Sequence, residues 1–73
     1  MEIEEIERLI KAAIPDAIVS AQTEDGRHYA AKVISKSFAG MPKVRQHQMV
    51  YKALGDKLGS DELHAFALTT SVE

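Results

Sequence analysis

The chain has 73 residues, contains no cysteine and carries a formal net charge of −2. A chain of this length forms one domain, residues 1–73, whose thin core argues against a deep, enclosed active site. The lack of cysteine excludes disulfides, cysteine-based zinc sites and clusters held by its own thiolates, and the net charge argues against strong nonspecific binding to nucleic acid.

The start of the chain is acidic and amphipathic. It lacks the basic region and unbroken apolar stretch of a signal peptide. No run of about 20 apolar residues is present, which argues against a membrane-spanning segment. We therefore expect a cytoplasmic protein with no membrane partner.

The first predicted element is a helix over residues 2–14. Its apolar side chains recur at three- and four-residue steps, at Ile3, Ile6, Ile10, Ala13 and Ile14. Glutamates occupy the first turn, where negative charge interacts favourably with the helix dipole. Pro15 ends the helix, because the residue before a proline avoids the α region.

The next two elements are predicted strands over residues 17–23 and 28–35. The dipeptide Asp25-Gly26 lies between them. This pair is typical of a type I′ hairpin turn, which needs a positive φ at both central positions. The two strands are therefore predicted to be antiparallel.

A second helix is predicted to begin near Pro42, which suits a first helical turn. Its apolar stripe consists of Val44, His47, Tyr51, Leu54 and Leu58, with Val50 alongside. Gly55 allows either one bent helix or two short ones, and Gly59 is a suitable C-terminal stop. Residues 63–70 form a third predicted strand.

The predicted order of elements is αββαβ, an α+β fold. A strand–helix–strand crossover favours a parallel pairing between the second and third strands. The simplest result is a three-stranded mixed sheet. Its second strand is central, and the helices pack on one face.

Two histidines begin predicted strands, His28 in the second and His64 in the third. Parallel neighbours about 4.8 Å apart would place both at one end of the sheet, where two imidazoles could approach a metal ion or one iron of a cluster. Half-exposed polar residues at strand ends are the plainer alternative. Two nitrogens make an incomplete site, so the further ligands come either from Asp25, Asp61 and Glu62, which would suit zinc, or from a partner.

The other residues whose side chains could take part in catalysis do not form a catalytic pattern. His47 falls on the stripe of the second helix, which predicts an imidazole packed against the sheet with its ring N–H bonded to a backbone carbonyl. There is no cysteine nucleophile. The serines are scattered, and no serine–histidine–acid arrangement follows from their positions. We therefore do not expect an enzyme.

Three segments together resemble the BolA family. They are residues 25–29 (Asp-Gly-Arg-His-Tyr), residues 38–51, which begin Phe-Ala-Gly and end Val-Tyr, and residues 63–68 (Leu-His-Ala-Phe-Ala-Leu). The family signature is Phe-x-Gly, then a helix carrying Arg-His-Arg-x-Val-Tyr, then His-Ala at the last strand. The resemblance covers roughly residues 3–70 and implies an αββααβ fold similar to a type II KH domain.

The resemblance also implies a function. Many BolA-like proteins pair with a monothiol glutaredoxin of the CGFS type and share a [2Fe–2S] cluster with it. The glutaredoxin supplies a cysteine, and bound glutathione supplies a second thiolate. The matching residues here are His64 as the principal ligand and His28 as the second. The expected isolated chain is a monomer without a cofactor, and the expected role is iron–sulfur cluster trafficking or iron homeostasis.

The chain departs from the family pattern in one motif, and a second function stays open. Gln46-His47-Gln48 stands where the family has Arg-His-Arg, so two positive charges are missing. Some BolA proteins act as transcriptional regulators, and a KH-like DNA-binding function is the alternative. The predicted partner or nucleic-acid surface consists of Lys43, Arg45, His47 and Lys52. The Gly-x-x-Gly loop with which KH domains hold nucleic acid is absent, which argues against this alternative.

Overall fold

A computed structural model of the chain describes residues 2–55 and 66–73. They form helix α1 (Ile3–Ala13), strands β1 (Ile18–Thr23) and β2 (Tyr29–Ile34), a short 3₁₀ helix (Lys36–Phe38), helix α2 (Lys43–Leu54) and strand β3 (Phe66–Ser71). The predicted αββαβ order is confirmed. Gly59, a second helix after Gly55 and the predicted start of the third strand lie outside the described residues.

The three strands form one mixed sheet in the order β1-β2-β3. As predicted, β1 and β2 are antiparallel and β2 and β3 are parallel. Tyr29 pairs with Thr23 on one side and with Phe66 on the other. The end of β1 and the starts of β2 and β3 therefore meet at the same edge of the sheet.

The core lies between the helices and one face of the sheet, with α1 against β1 and α2 against both β3 and α1. The fully or almost fully buried apolar side chains include Ile6, Ile10, Ile14, Val33, Phe38, Val50 and Leu54. On the opposite face the directly paired Ser20, Lys32 and Thr69 are exposed. Alternation along each strand thus gives one solvated face and one packed face, and the helices lie on the packed face as predicted.

The buried face of α2 differs from the predicted stripe. Val44 is 64% exposed, whereas Gln46, Val50 and Leu54 are buried. These three residues follow a four-residue step, and Gln46 joins them because its Nε2 donates a hydrogen bond to the carbonyl oxygen of Met41 at 2.9 Å. An apolar pattern does not count a glutamine as a core residue. The predicted stripe therefore includes the buried Leu54 but also the exposed Val44, and it misses Gln46.

The start of the 3₁₀ helix is joined to the α1–β1 connection through Asp16. Its Oδ1 accepts hydrogen bonds from the Oγ atoms of Ser35 and Ser37 at 2.7 and 3.2 Å, and its Oδ2 accepts from the backbone N–H of Lys36 at 3.0 Å. Ser35 is itself buried and caps the 3₁₀ helix by accepting from the backbone N–H of Ser37. The hydroxyl of Ser35, above all, lowers the pKa of the Asp16 carboxyl below its ordinary value of 3.8.

This lowered pKa makes the contribution of Asp16 to stability depend on pH. The contribution is fully present above the unfolded-state pKa and is lost as the pH falls through the lower folded-state value. We expect the free energy of unfolding in urea to fall less steeply with acid in Asp16→Asn than in the wild type, measured above and below pH 3.8. Glu4→Gln, on the surface of α1, is the matched control. Equal acid dependence of Asp16→Asn and the wild type would contradict this role.

Candidate functional site

The loop that joins β1 to β2 brings His28 to the edge where the three strands meet. The loop comprises residues 24–28, because Thr23 and Tyr29 form the last strand pair. Gly26 has a φ of +74°, and no non-glycine residue in the described ranges has a positive φ. The predicted type I′ turn is therefore wrong, although the antiparallel pairing is right. His28 is the last residue of the loop and not the first of the strand.

Side chains of the flanking strands hold this loop. The hydroxyl of Thr23 donates to the carbonyl oxygen of His28 at 2.7 Å and accepts from the backbone N–H of Gly26 at 2.9 Å. The hydroxyl of Tyr29 donates to the carbonyl oxygen of Gly26 at 3.0 Å. The backbone on both sides of His28 is therefore fixed to strand residues.

The Asp25 carboxylate closes the loop with both of its oxygens. Oδ1 accepts from the backbone N–H groups of Arg27 and His28, each at 2.9 Å. Oδ2 lies 2.9 Å from Nδ1 of the His28 ring. The hydrogen bonds from the ring and the backbone of His28, and then from Arg27, hold the pKa of the Asp25 carboxyl well below its usual value.

This arrangement determines which ring nitrogen of His28 can bind a metal. An ionised carboxylate only accepts hydrogen bonds, so Nδ1 carries the proton that it donates to Asp25. In the neutral ring Nε2 then has a free lone pair. The His28 side chain is 75% exposed, and an open cavity of about 360 Å³ borders it and Asp25. Such a carboxylate–histidine pair is the usual outer support of a metal-bound imidazole.

His28 alone is an incomplete site. The residues that the structure describes contain no group of three or more histidines, aspartates or glutamates that could hold a metal ion. Asp25, one of the predicted oxygen ligands for zinc, instead bonds the ring of His28. Asp61, Glu62 and His64 lie outside the described residues. The geometry therefore offers one imidazole nitrogen and leaves the remaining ligands to other groups.

The other predicted surface residues lie on α2. Lys43, Arg45 and Lys52 are exposed, and the ammonium group of Lys43 donates to the carbonyl oxygen of Thr70 in β3. His47 is half-buried, and its ring meets Tyr51 edge-on at a centroid distance of 6.5 Å, not the backbone carbonyl that the sequence predicted. Their role as a partner or nucleic-acid surface stays a prediction.

Two features of this region were not predicted from the sequence. One is the hydrogen bond between Asp25 and His28. The sequence does carry a signal for it, because an aspartate stands three residues before a histidine with a glycine between them. The other is a series of ring contacts in which Tyr29 stacks on Phe66 at 6.2 Å, and Phe66 meets Tyr51 at 6.4 Å. Through Tyr51 this series joins the edge that carries His28 to His47 on α2.

Neither helix in the part of the chain that the structure describes is long and apolar enough to cross a membrane.

Comparisons with known proteins agree with this fold. The model of the BolA-like protein family matches residues 5–73. An uncharacterised protein of Haemophilus influenzae is 33% identical over 70 residues, which cover 96% of this chain and 81% of that protein. The chloroplastic protein BOLA1 of Arabidopsis thaliana is 35% identical over 52 residues, 71% of this chain and 32% of that protein. The structure of a BolA homologue from Coxiella burnetii superposes with a TM-score of 0.78 at 33% identity, over 97% of this chain and 90% of that one.

Proposed function

This chain belongs to the BolA-like family, and we propose that it is an adaptor that pairs with a monothiol glutaredoxin and contributes histidine ligands to a shared [2Fe–2S] cluster. In this role the chain supplies nitrogen ligands and carries out no catalysis. The thiolates that it lacks come from the glutaredoxin cysteine and from glutathione. The cellular process is iron–sulfur cluster trafficking or iron homeostasis.

The observation that carries the proposal is the exposed imidazole of His28, which is bonded to Asp25 through Nδ1. The ring is fixed at Nδ1 by Asp25, it is 75% exposed, and it belongs to a site that needs ligands from elsewhere. Imidazole nitrogen is a suitable ligand for iron, so the residues present fit such a cluster. A partner that brings thiolates would complete the ligand set of the cluster.

The other proposed ligand, His64, is identified from the sequence. Only Ala65 separates His64 from Phe66, and Phe66 pairs with Tyr29, the residue that follows His28. The resemblance to the family assigns the principal ligand to this His-Ala pair. We therefore include His64 in the proposal beside His28, with His64 as the stronger ligand.

The proposed ligand set has a chemical purpose. Replacing thiolates by neutral imidazoles makes a cluster less negative and raises its reduction potential, as in Rieske centres. Histidine ligands also compete with protons, which makes the attachment of this chain reversible with pH. The isolated chain is then a monomer without a cofactor, and the heterodimer forms with the cluster.

The test is to titrate this chain into a monothiol glutaredoxin that carries its glutathione-bound [2Fe–2S] cluster and to record visible circular dichroism. The wild type is expected to change the spectrum to that of a new ligand set. The double variant His28→Ala and His64→Ala is expected to leave the spectrum of the glutaredoxin unchanged, because it removes both nitrogen ligands.

The control is Glu4→Gln, which changes an exposed residue of α1 that belongs neither to the strand ends nor to the predicted partner surface. It is expected to change the spectrum as the wild type does. An unchanged spectrum with the wild type would refute the proposal. A changed spectrum with the double variant would show that other groups of the chain bind the cluster.

A further inference from the structure

The hydrogen bonds of Asp25 divide cleanly between its two oxygens. Oδ1 accepts the two backbone N–H groups of Arg27 and His28, and Oδ2 accepts from the ring of His28. The first pair of bonds shapes the loop. The third bond, at 2.9 Å, acts on the imidazole alone.

We propose that Asp25 is a positioning residue that fixes the ring orientation and the tautomer of His28, so that in the neutral ring the lone pair available to a metal lies on Nε2. This inference rests on the proposed function, in which His28 is a ligand, and it assigns a role to a residue that binds no metal itself. It also explains why the loop places a carboxylate three residues before the histidine, where Gly26 allows the backbone to turn.

The exposure of His28 makes this support necessary. The bond to Asp25 is the ring's one hydrogen bond within the described ranges, and the side chain is 75% exposed. A ring without that bond would be free to rotate and to carry its proton on either nitrogen. A carboxylate that accepts from one ring nitrogen fixes the tautomer and raises the basicity of the other nitrogen.

Asp25→Asn separates tautomer control from loop structure. The two backbone N–H groups require an acceptor at the Oδ1 position, so the amide oxygen of the new side chain stays there. Its NH₂ group then faces the His28 ring and donates to Nδ1, which moves the ring proton to Nε2. The variant keeps the loop's backbone bonds but blocks the nitrogen that would bind the metal.

Asp25→Ala is the second variant. It removes the bond to the ring together with both backbone bonds, so the ring populates both tautomers and Nε2 is available part of the time. If Asp25 only supported the loop, alanine would be the more harmful change. If Asp25 selects the tautomer, asparagine is the more harmful one. Glu24→Gln removes a neighbouring negative charge in the same loop and is the matched control.

Two readouts decide the matter. Long-range ¹H–¹⁵N NMR spectra of the neutral histidine ring report the tautomer of His28 in each isolated, folded protein. We expect an unprotonated Nε2 in the wild type and in Glu24→Gln, a mixture in Asp25→Ala, and a protonated Nε2 in Asp25→Asn. The glutaredoxin titration is expected to show apparent affinity lowered by roughly 10–100-fold in Asp25→Asn and by less in Asp25→Ala.

The possible failures are distinguishable. If the wild type leaves the glutaredoxin spectrum unchanged, the proposed function is wrong, and the ligand-positioning role of Asp25 is wrong with it. If the wild type changes the spectrum but Asp25→Asn matches it in tautomer or affinity, the function stands and the role of Asp25 is refuted. A larger loss with alanine than with asparagine would also refute it, because that order indicates loop support alone.

Discussion

Replacing Phe38 by alanine is expected to lower the free energy of unfolding by about 3–5 kcal/mol. Phe38 is fully buried and is the largest of the side chains with almost no exposed surface. The 3₁₀ helix that carries it is fixed by the hydrogen bonds that Asp16 accepts from Ser35, Lys36 and Ser37. A domain of 73 residues has a total stability of roughly 4–11 kcal/mol, so this loss removes a large part of it.

The measurement is equilibrium unfolding in urea, with Val44→Ala as the control. Val44 is apolar and belongs to the predicted stripe of the second helix, yet it is 64% exposed. Its replacement is expected to change stability by no more than about 0.5 kcal/mol. Equal losses of unfolding free energy in the two variants would contradict the assignment of Phe38 to the core and of Val44 to the surface.

A second large effect is expected on the reduction potential of the shared cluster. Rieske centres, with two histidines on one iron, have potentials of about −150 to +300 mV, against about −400 mV for all-cysteine plant-type clusters. The complex with this chain should therefore have a higher potential than the cluster of the glutaredoxin alone. His28→Cys restores a thiolate and should lower the potential of the complex by on the order of 100 mV.

The control for the potential is Glu4→Gln, an exposed residue of α1 outside the predicted partner surface. It should leave the potential of the complex at the wild-type value. A potential that does not respond to His28→Cys would show that His28 is not a ligand, even if the two proteins associate.

Elements whose signals are local were predictable from the sequence. The stripe that contains Ile6, Ile10 and Ile14 specified both the helix and its buried side, and the helix ended before Pro15 as expected. The glycine turn between two short apolar segments indicated the antiparallel pairing. The crossover through α2 favoured the parallel pairing of β2 and β3, which the structure shows.

Features that depend on a specific hydrogen bond were not predictable in the same way. Gln46 is buried because Met41 offers a carbonyl oxygen to its side chain, so a polar residue joins Val50 and Leu54 on the buried face of α2. Asp25 keeps a negative φ because its carboxylate bonds the backbone ahead of it, which replaced the expected turn type. Ala13, counted in the apolar stripe of the first helix, is exposed.

The candidate site was predictable in part. Strand topology predicted that His28 would lie at the edge shared with the start of β3, and the pairing of Tyr29 with Phe66 agrees with this. The orientation and tautomer of the His28 ring were not predictable. They depend on the Asp25 carboxylate, which is oriented by its hydrogen bond to the backbone of the loop. His64 lies outside the described residues, and its role stays a prediction.

The decisive measurement is pulsed EPR of the reduced [2Fe–2S] complex, with this chain labelled uniformly with ¹⁵N and the glutaredoxin and glutathione left unlabelled. The predicted result is strong ¹⁵N hyperfine coupling from imidazole ligated to iron, reduced in His28→Ala and in His64→Ala. A complex in which the cluster shows no strongly coupled ¹⁵N would contradict ligation by this chain. The cluster would then be held by the glutaredoxin and glutathione thiolates alone.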